Sequence, residues 1–91
     1  MYKILPYTKA KAKQHNVTVK PSTNKRKKID VYEDGIKIAS IGGYGWKDYA
    51  IYLKENGKEY ADKRQLLYKS RHRKDINNIG SNGWWANVLL W

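Results

Sequence analysis

The sequence predicts an α+β fold: a small antiparallel sheet centred on a β-hairpin and covered by two or three helices. Three observations predict it. Asp34-Gly35 lies between two alternating apolar segments, the pattern of a tight hairpin turn. Between residues 48 and 74 Asp48 is placed to cap one helix, and a longer helical stretch follows in which Tyr60, Leu67 and Arg71 fall near one line while Leu66 points elsewhere. The chain ends on WWANVLLW, a segment too apolar to hang in water, which must dock on something. A length of 91 residues fits one basic α+β domain over 1–91 with a Lys-rich N-terminal third, 1–28.

Taken in order, Thr8 is placed to cap a short helix, TKAKAKQHN, with Asn16 as its stop. Val17-Thr18-Val19 reads as a short strand, broken by Pro21 and followed by a Ser22-Thr23-Asn24 turn. The hairpin strands are 28–32 and 36–41. With Asp34-Gly35 as a two-residue turn, Tyr32 faces Lys37, Val31 faces Ile38 and Ile29 faces Ser40. Ile29, Val31, Ile36 and Ile38 then share the core face, and Asp30, Tyr32, Lys37, Ala39 and Ile41 lie on the other. A hairpin alone is marginal, so 17–19 is expected to pair as a third strand and helices to cover the sheet.

Gly42, Gly43 and Gly45 make a bend, after which Asp48 caps a helix over 49–55 that Asn56-Gly57 ends. A longer helix is expected over 58–74, with Tyr60, Arg64, Leu67 and Arg71 near one line. Residues 77–83 read as a loop. In the last segment Trp84, Val88 and Trp91 fall on one helical stripe, with Trp85 and Leu89 beside it. That stripe docks on the chain's own core or, alternatively, makes Trp84, Trp85 and Trp91 a protein interface.

Charge is the strongest functional signal. The net charge is +11, but it is unevenly placed. Residues 1–28 hold nine Lys and Arg and no acid, residues 29–62 carry −3, and residues 63–91 carry +5. Such segregation makes a field that attracts polyanions. The candidate phosphate contacts are Lys9, Lys11, Lys13, Lys20, Lys25, Arg26, Lys27 and Lys28, with a second patch of Lys63, Arg64, Lys69, Arg71, Arg73 and Lys74. Each patch has a plainer reading. Lys on an edge strand discourages aggregation, and cations at a helix C-terminus complement its dipole. The nine cations without an acid favour nucleic acid, DNA or RNA, for the first patch. For the second, the dipole explains Arg73 and Lys74 but not Arg64.

The aromatic usage is eight Tyr, four Trp and no Phe, which favours rings that lie at boundaries and keep a polar tip wet. GGYGW lacks the sequence of a phosphate loop. Tyr44 and Trp46 within it are candidate base-stacking rings, with closure of the core as the plainer role. No Cys is present, His15 and His72 are far apart, and no cofactor or metal motif emerges. Among the acids, Asp30 lies near Lys28 and Lys37 and is the one candidate for a small metal-dependent nuclease. No secretory signal is read at the N-terminus, and no apolar run approaches the ~20 residues of a membrane span, so a protein that is not secreted and not membrane-bound is expected.

Several strings in order, YKILPYTKAKA, VTVKPSTNKRKKIDVY, DGIKIASIG, KDYAIYL, GKEYADKRQLLYKSRHRKD and the terminal LLW, resemble a family of small basic, largely uncharacterised proteins of large double-stranded DNA viruses, including algal and amoebal giant viruses. The resemblance spans residues 2–91. This chain departs from the family pattern in a more Trp-rich IGGYGW and in Trp84-Trp85, where the family has Tyr-Tyr. The family supplies no catalytic residues. The resemblance implies a viral origin, in the virion or inside the infected cell, with genome binding or packaging as the role. A minor capsid or cement protein is the alternative, with capsid proteins or further copies of the chain as partners.

Overall fold

The computed structural model of the protein describes residues 2–43 and 45–91. Pro6 opens the first helix, α1 (Pro6–Gln14), at a position where its missing N–H costs nothing. Thr8 is therefore not the cap. It lies inside the first turn, fully buried, with no hydrogen-bond partner for Oγ1. Asn16, at φ 56°, ends the helix as expected, and the chain turns into β1 (Thr18–Pro21). β1 pairs antiparallel with β2 (Lys27–Glu33), and β2 with β3 (Ile36–Gly43), in the order β1-β2-β3. The third strand is the one expected, one residue later in the chain. Pro21 is tolerated because β1 is an edge strand.

The hairpin turn forms at Asp34 and Gly35, both at positive φ. Tyr32 faces Lys37 as expected, but beyond it the register slips: Val31 faces Ala39, Asp30 faces Ser40 and Ile29 faces Ile41. Ile38 is the extra residue of a β-bulge. A bulge of one residue reverses the alternation of everything after it. Ala39 and Ile41 therefore join Ile29 and Val31 in the core, while Ile36 and Ile38 are exposed, contrary to the sequence expectation. The reason lies in Asp30. Without the bulge it would face Ala39, which has no donor. With the bulge the Ser40 hydroxyl donates to Asp30 Oδ1 at 2.7 Å, alongside that of Ser22 at 2.6 Å.

Asp30 is fully buried. Its second oxygen accepts from the Thr23 N–H and lies 3.6 Å from Lys37 Nζ. Burial opposes its ionisation, but the two hydroxyls, the N–H and the Lys37 charge outweigh that and hold the carboxyl below the usual range. A group depressed in this way stabilises the fold in full above about pH 4 and loses that contribution as pH falls further. Asp30→Asn should therefore melt below the parent at neutral pH, by about 1–3 kcal/mol in stability. The gap should close as the pH is taken below about 4. A gap that stays constant through acid would show that the charge on Asp30 is not what the turn and the bulge hold in place.

Asp48 caps α2 (Tyr49–Asn56), accepting from the Ile51 N–H, and Gly57, at φ 88°, turns the chain into α3 (Lys58–Arg71). The long helix expected to Lys74 stops at Arg71, and Arg73 and Lys74 belong to a separate turn, α4 (Arg73–Ile76). The final helix, α5 (Asn82–Leu90), starts inside the expected loop because Ser81 accepts the Trp84 N–H as its cap. Asn82 takes the Ser40 N–H on the outer edge of β3, so α5 covers an edge that would otherwise be open.

The core gathers between the sheet, α1 and α5. Its fully or nearly buried members include Ile29, Val31, Ile41, Leu89, Leu90 and Trp85. Trp91 stacks flat on Tyr68 of α3, with ring centroids 4.4 Å apart, and its backbone oxygen accepts from Tyr7 and Gln65. The inward stripe of α5 is Trp85, Ala86, Leu89 and Leu90, while Trp84 and Val88 are only partly buried. Trp85 and Trp91, 7 % and 8 % exposed, thus pack into this chain's own core.

Candidate nucleic-acid interface

The bend after β3 brings distant segments together. Gly42, at φ 77°, has no room for a side chain: a Cβ there would lie 2.9 Å from Leu90 Cδ1 and 3.0 Å from Lys28 Cδ. This close approach lets β3 run up against α5 and opens a cleft of about 500 Å³ between the bend, α2, α3 and α5. Its lining includes Lys27, Trp46, Arg64 and Arg71. Tyr52, Tyr68 and Trp91 add ring surface.

The two basic segments that looked separate in sequence thus meet here. Lys27 comes from the first, and Arg64 and Arg71, two turns apart on α3, from the second. Among the described residues none of these three makes an ion pair. The Arg64 guanidinium lies 5.2 Å from the centre of the Tyr52 ring, a cation–π contact that fixes the fork, and its buried Nε has no hydrogen-bond partner. Trp46 is 76 % exposed. Its pyrrole edge lies against Gly43, where a Cβ would approach Cδ1 to 2.6 Å. Tyr44 lies outside the described residues.

Of the acids of the cleft, Asp48 is occupied: it accepts from Tyr2 at 2.8 Å and from Lys28 at 3.2 Å, whereas Asp75 is exposed, with one oxygen 3.3 Å from His72 Nδ1. Burial first, and then the Asp48 charge, push the Tyr2 phenol up, so it stays a donor. Lys28 is the clear departure from the sequence expectation. It is only 3 % exposed, ion-paired to Asp48 and set 5.3 Å from the Tyr2 ring centre, so it cannot offer its charge to a phosphate. Alternation on β2 explains this: Lys28 points opposite to Ile29, into the space beneath the cap of α2.

The remaining cations are spread more widely. Lys25 and Arg26 are exposed on the β1–β2 turn, next to Lys27. Lys20 is exposed with its ammonium over the Tyr32 ring. Lys9 and Lys13 are exposed on α1. Lys11 is partly buried over the Tyr7 ring, and burial lowers its pKa. Lys69 donates to Asn87 Oδ1 at 3.0 Å, and burial and then the Lys11 charge lower its pKa too. Lys63, Arg73 and Lys74 are exposed.

Sequence reasoning missed Tyr52, Tyr68 and His72 as parts of the cleft. One signal existed: Tyr68 and His72 are an i,i+4 aromatic pair, and their rings do stack at 4.3 Å. The nuclease candidate gains no geometric support, since Asp30 has both oxygens engaged by protein donors. Among the described residues no group of three His, Cys, Asp or Glu side chains is arranged to hold a metal ion, and no helix is long and apolar enough to cross a membrane. The chain matches no protein-family profile, no curated protein and no solved structure.

Proposed function

We propose that this protein binds nucleic acid through its phosphates, without sequence specificity, and that it does so in a viral setting, for genome binding or packaging. The observation that carries the reading is the convergence of Lys27, Arg64 and Arg71 on one aromatic-walled cleft, with Lys25 and Arg26 on the adjoining turn. A charge carried only for solubility would be scattered among acids. Here Lys27, Arg64 and Arg71 line one cleft and make no ion pair among the described residues, while Lys28 and Lys47 at the same cleft are paired with Asp48 and Glu55. The viral setting rests on the resemblance of the sequence strings alone.

The test is a salt titration with DNA, RNA and heparin. If ~6 phosphates are neutralised, log K against log salt for duplex DNA should fall with a slope near −5. Changing Lys25, Arg26 and Lys27 together to Gln should flatten that slope by about 2 to 3 and leave the melting temperature unchanged. No binding at low salt, or a slope near zero, would sink the proposal. An unaltered slope in the triple variant would move the phosphate contacts elsewhere on the surface.

A further inference from the structure

We infer that the cleft receives one unpaired nucleotide of a bound strand, its base against Trp46 and its phosphate among Lys27, Arg64 and Arg71, so that single strands are preferred over duplex. This inference rests on the nucleic-acid reading and names the form of nucleic acid it takes. Three observations carry it. The first is size: about 500 Å³ is the scale of a pocket for a small ligand. The second is chemistry. A tryptophan 76 % exposed lines a cleft that also holds two arginines without ion-pair partners among the described residues. An anionic oxygen is the acceptor that an arginine fork best fits. The third is access. In a duplex the faces of the bases are covered by their neighbours and only the edges show in the grooves. A ring wall can engage a base face only when the base is out of the stack, whereas stacking on exposed aromatics beside cations is how single strands are held. Asp75 also lines the cleft, exposed and with one oxygen 3.3 Å from His72 Nδ1; its negative charge opposes a phosphate there and is outnumbered by Lys27, Arg64 and Arg71.

The experiment measures binding of a short oligo(dT) and of a blunt duplex with the same number of phosphates, at low salt. It uses the parent, Trp46→Ala and Gly43→Ala. Trp46→Ala removes an exposed ring and no charge. Gly43→Ala keeps the indole but moves it, because the new methyl would meet its pyrrole edge. The parent should bind oligo(dT) more tightly than duplex, with quenching of tryptophan fluorescence. Trp46→Ala should weaken oligo(dT) binding by roughly 5- to 150-fold, the range for loss of one stacked base, and remove most of the quenching. Gly43→Ala should weaken it in the same direction. Duplex affinity, the salt slope and the melting temperature should stay as they are in both variants. If Trp46→Ala leaves oligo(dT) affinity unchanged, or weakens both probes equally, the nucleotide cleft is overturned. In that case loss of binding to both probes in the Lys25, Arg26 and Lys27 to Gln variant still upholds phosphate binding. If the parent binds neither probe, both readings fall together.

Discussion

Removing Leu89, Leu90 and Trp91 unfolds the protein. The first two side chains are at most 2 % exposed and the third 8 %. Fully burying a large apolar side chain contributes about 1.5–3 kcal/mol, so the three together, about 4.5–9 kcal/mol, are as large as the lower half of the ~5–14 kcal/mol expected for the whole domain. The loss goes beyond area. Leu90 Cδ1 packs where Gly42 turns, and Trp91 is the plate on which Tyr68 stacks and to which Tyr7 and Gln65 donate. Without it, α1 and α3 lose their shared anchor. The expected outcome is a truncated protein with no cooperative thermal transition and with dispersed near-ultraviolet signal lost. A truncated protein that keeps its melting temperature would show that the core lies elsewhere. One that keeps it and loses only self-association would make the segment an interface, the arrangement a structural virion protein would need.

Lys28→Ala should cost about 3–5 kcal/mol, the penalty for leaving one member of a buried ion pair alone. The hydrogen bonds that Asp48 keeps from Tyr2 and from the Ile51 N–H place the expected value toward the lower end. The consequence is a sharp contrast within four consecutive cations. Lys25, Arg26 and Lys27 should act on binding and its salt dependence with stability unchanged, and Lys28 on stability. Chemical denaturation separates the two, with the midpoint falling and its slope holding constant for Lys28→Ala. If Lys28→Ala instead retains full stability and weakens DNA binding, the residue faces the solvent and the run acts as one unit.

Much of the fold was legible because its signals are local. Asp34-Gly35 permits positive φ at two successive residues, so the hairpin turn could be placed to the residue. Asp48 and Gly57 are a cap and a helix boundary whose chemistry lies within a few positions of the residues they serve. At Thr8 a local signal was overruled by another local one, because Pro6 starts the helix earlier. Elsewhere a second segment decided. The register of the hairpin follows turn geometry only as far as Tyr32 and Lys37. Beyond that the demand of a buried carboxylate for donors imposes the bulge and turns Ile36 and Ile38 to solvent. A propensity scale holds no term for such a demand.

The sequence by itself determined the class of the fold, the hairpin and the presence of a third strand before it, the excess of cations at its start and along residues 63–74, and the need of its last eight residues for a place to pack. Each follows from composition, or from interactions that reach only one turn along the chain. Only the tertiary structure decided which cations are available and where they meet. Lys28 is withdrawn because alternation points it inward, where Asp48, twenty residues away, offers a carboxylate. Lys27, Arg64 and Arg71 come to line one cleft because Gly42 lets β3 close on α5 and because Trp91 holds α3 beside that contact. Charge in a sequence is a sum over residues, whereas a site is a matter of which residues the packing leaves without partners and sets side by side.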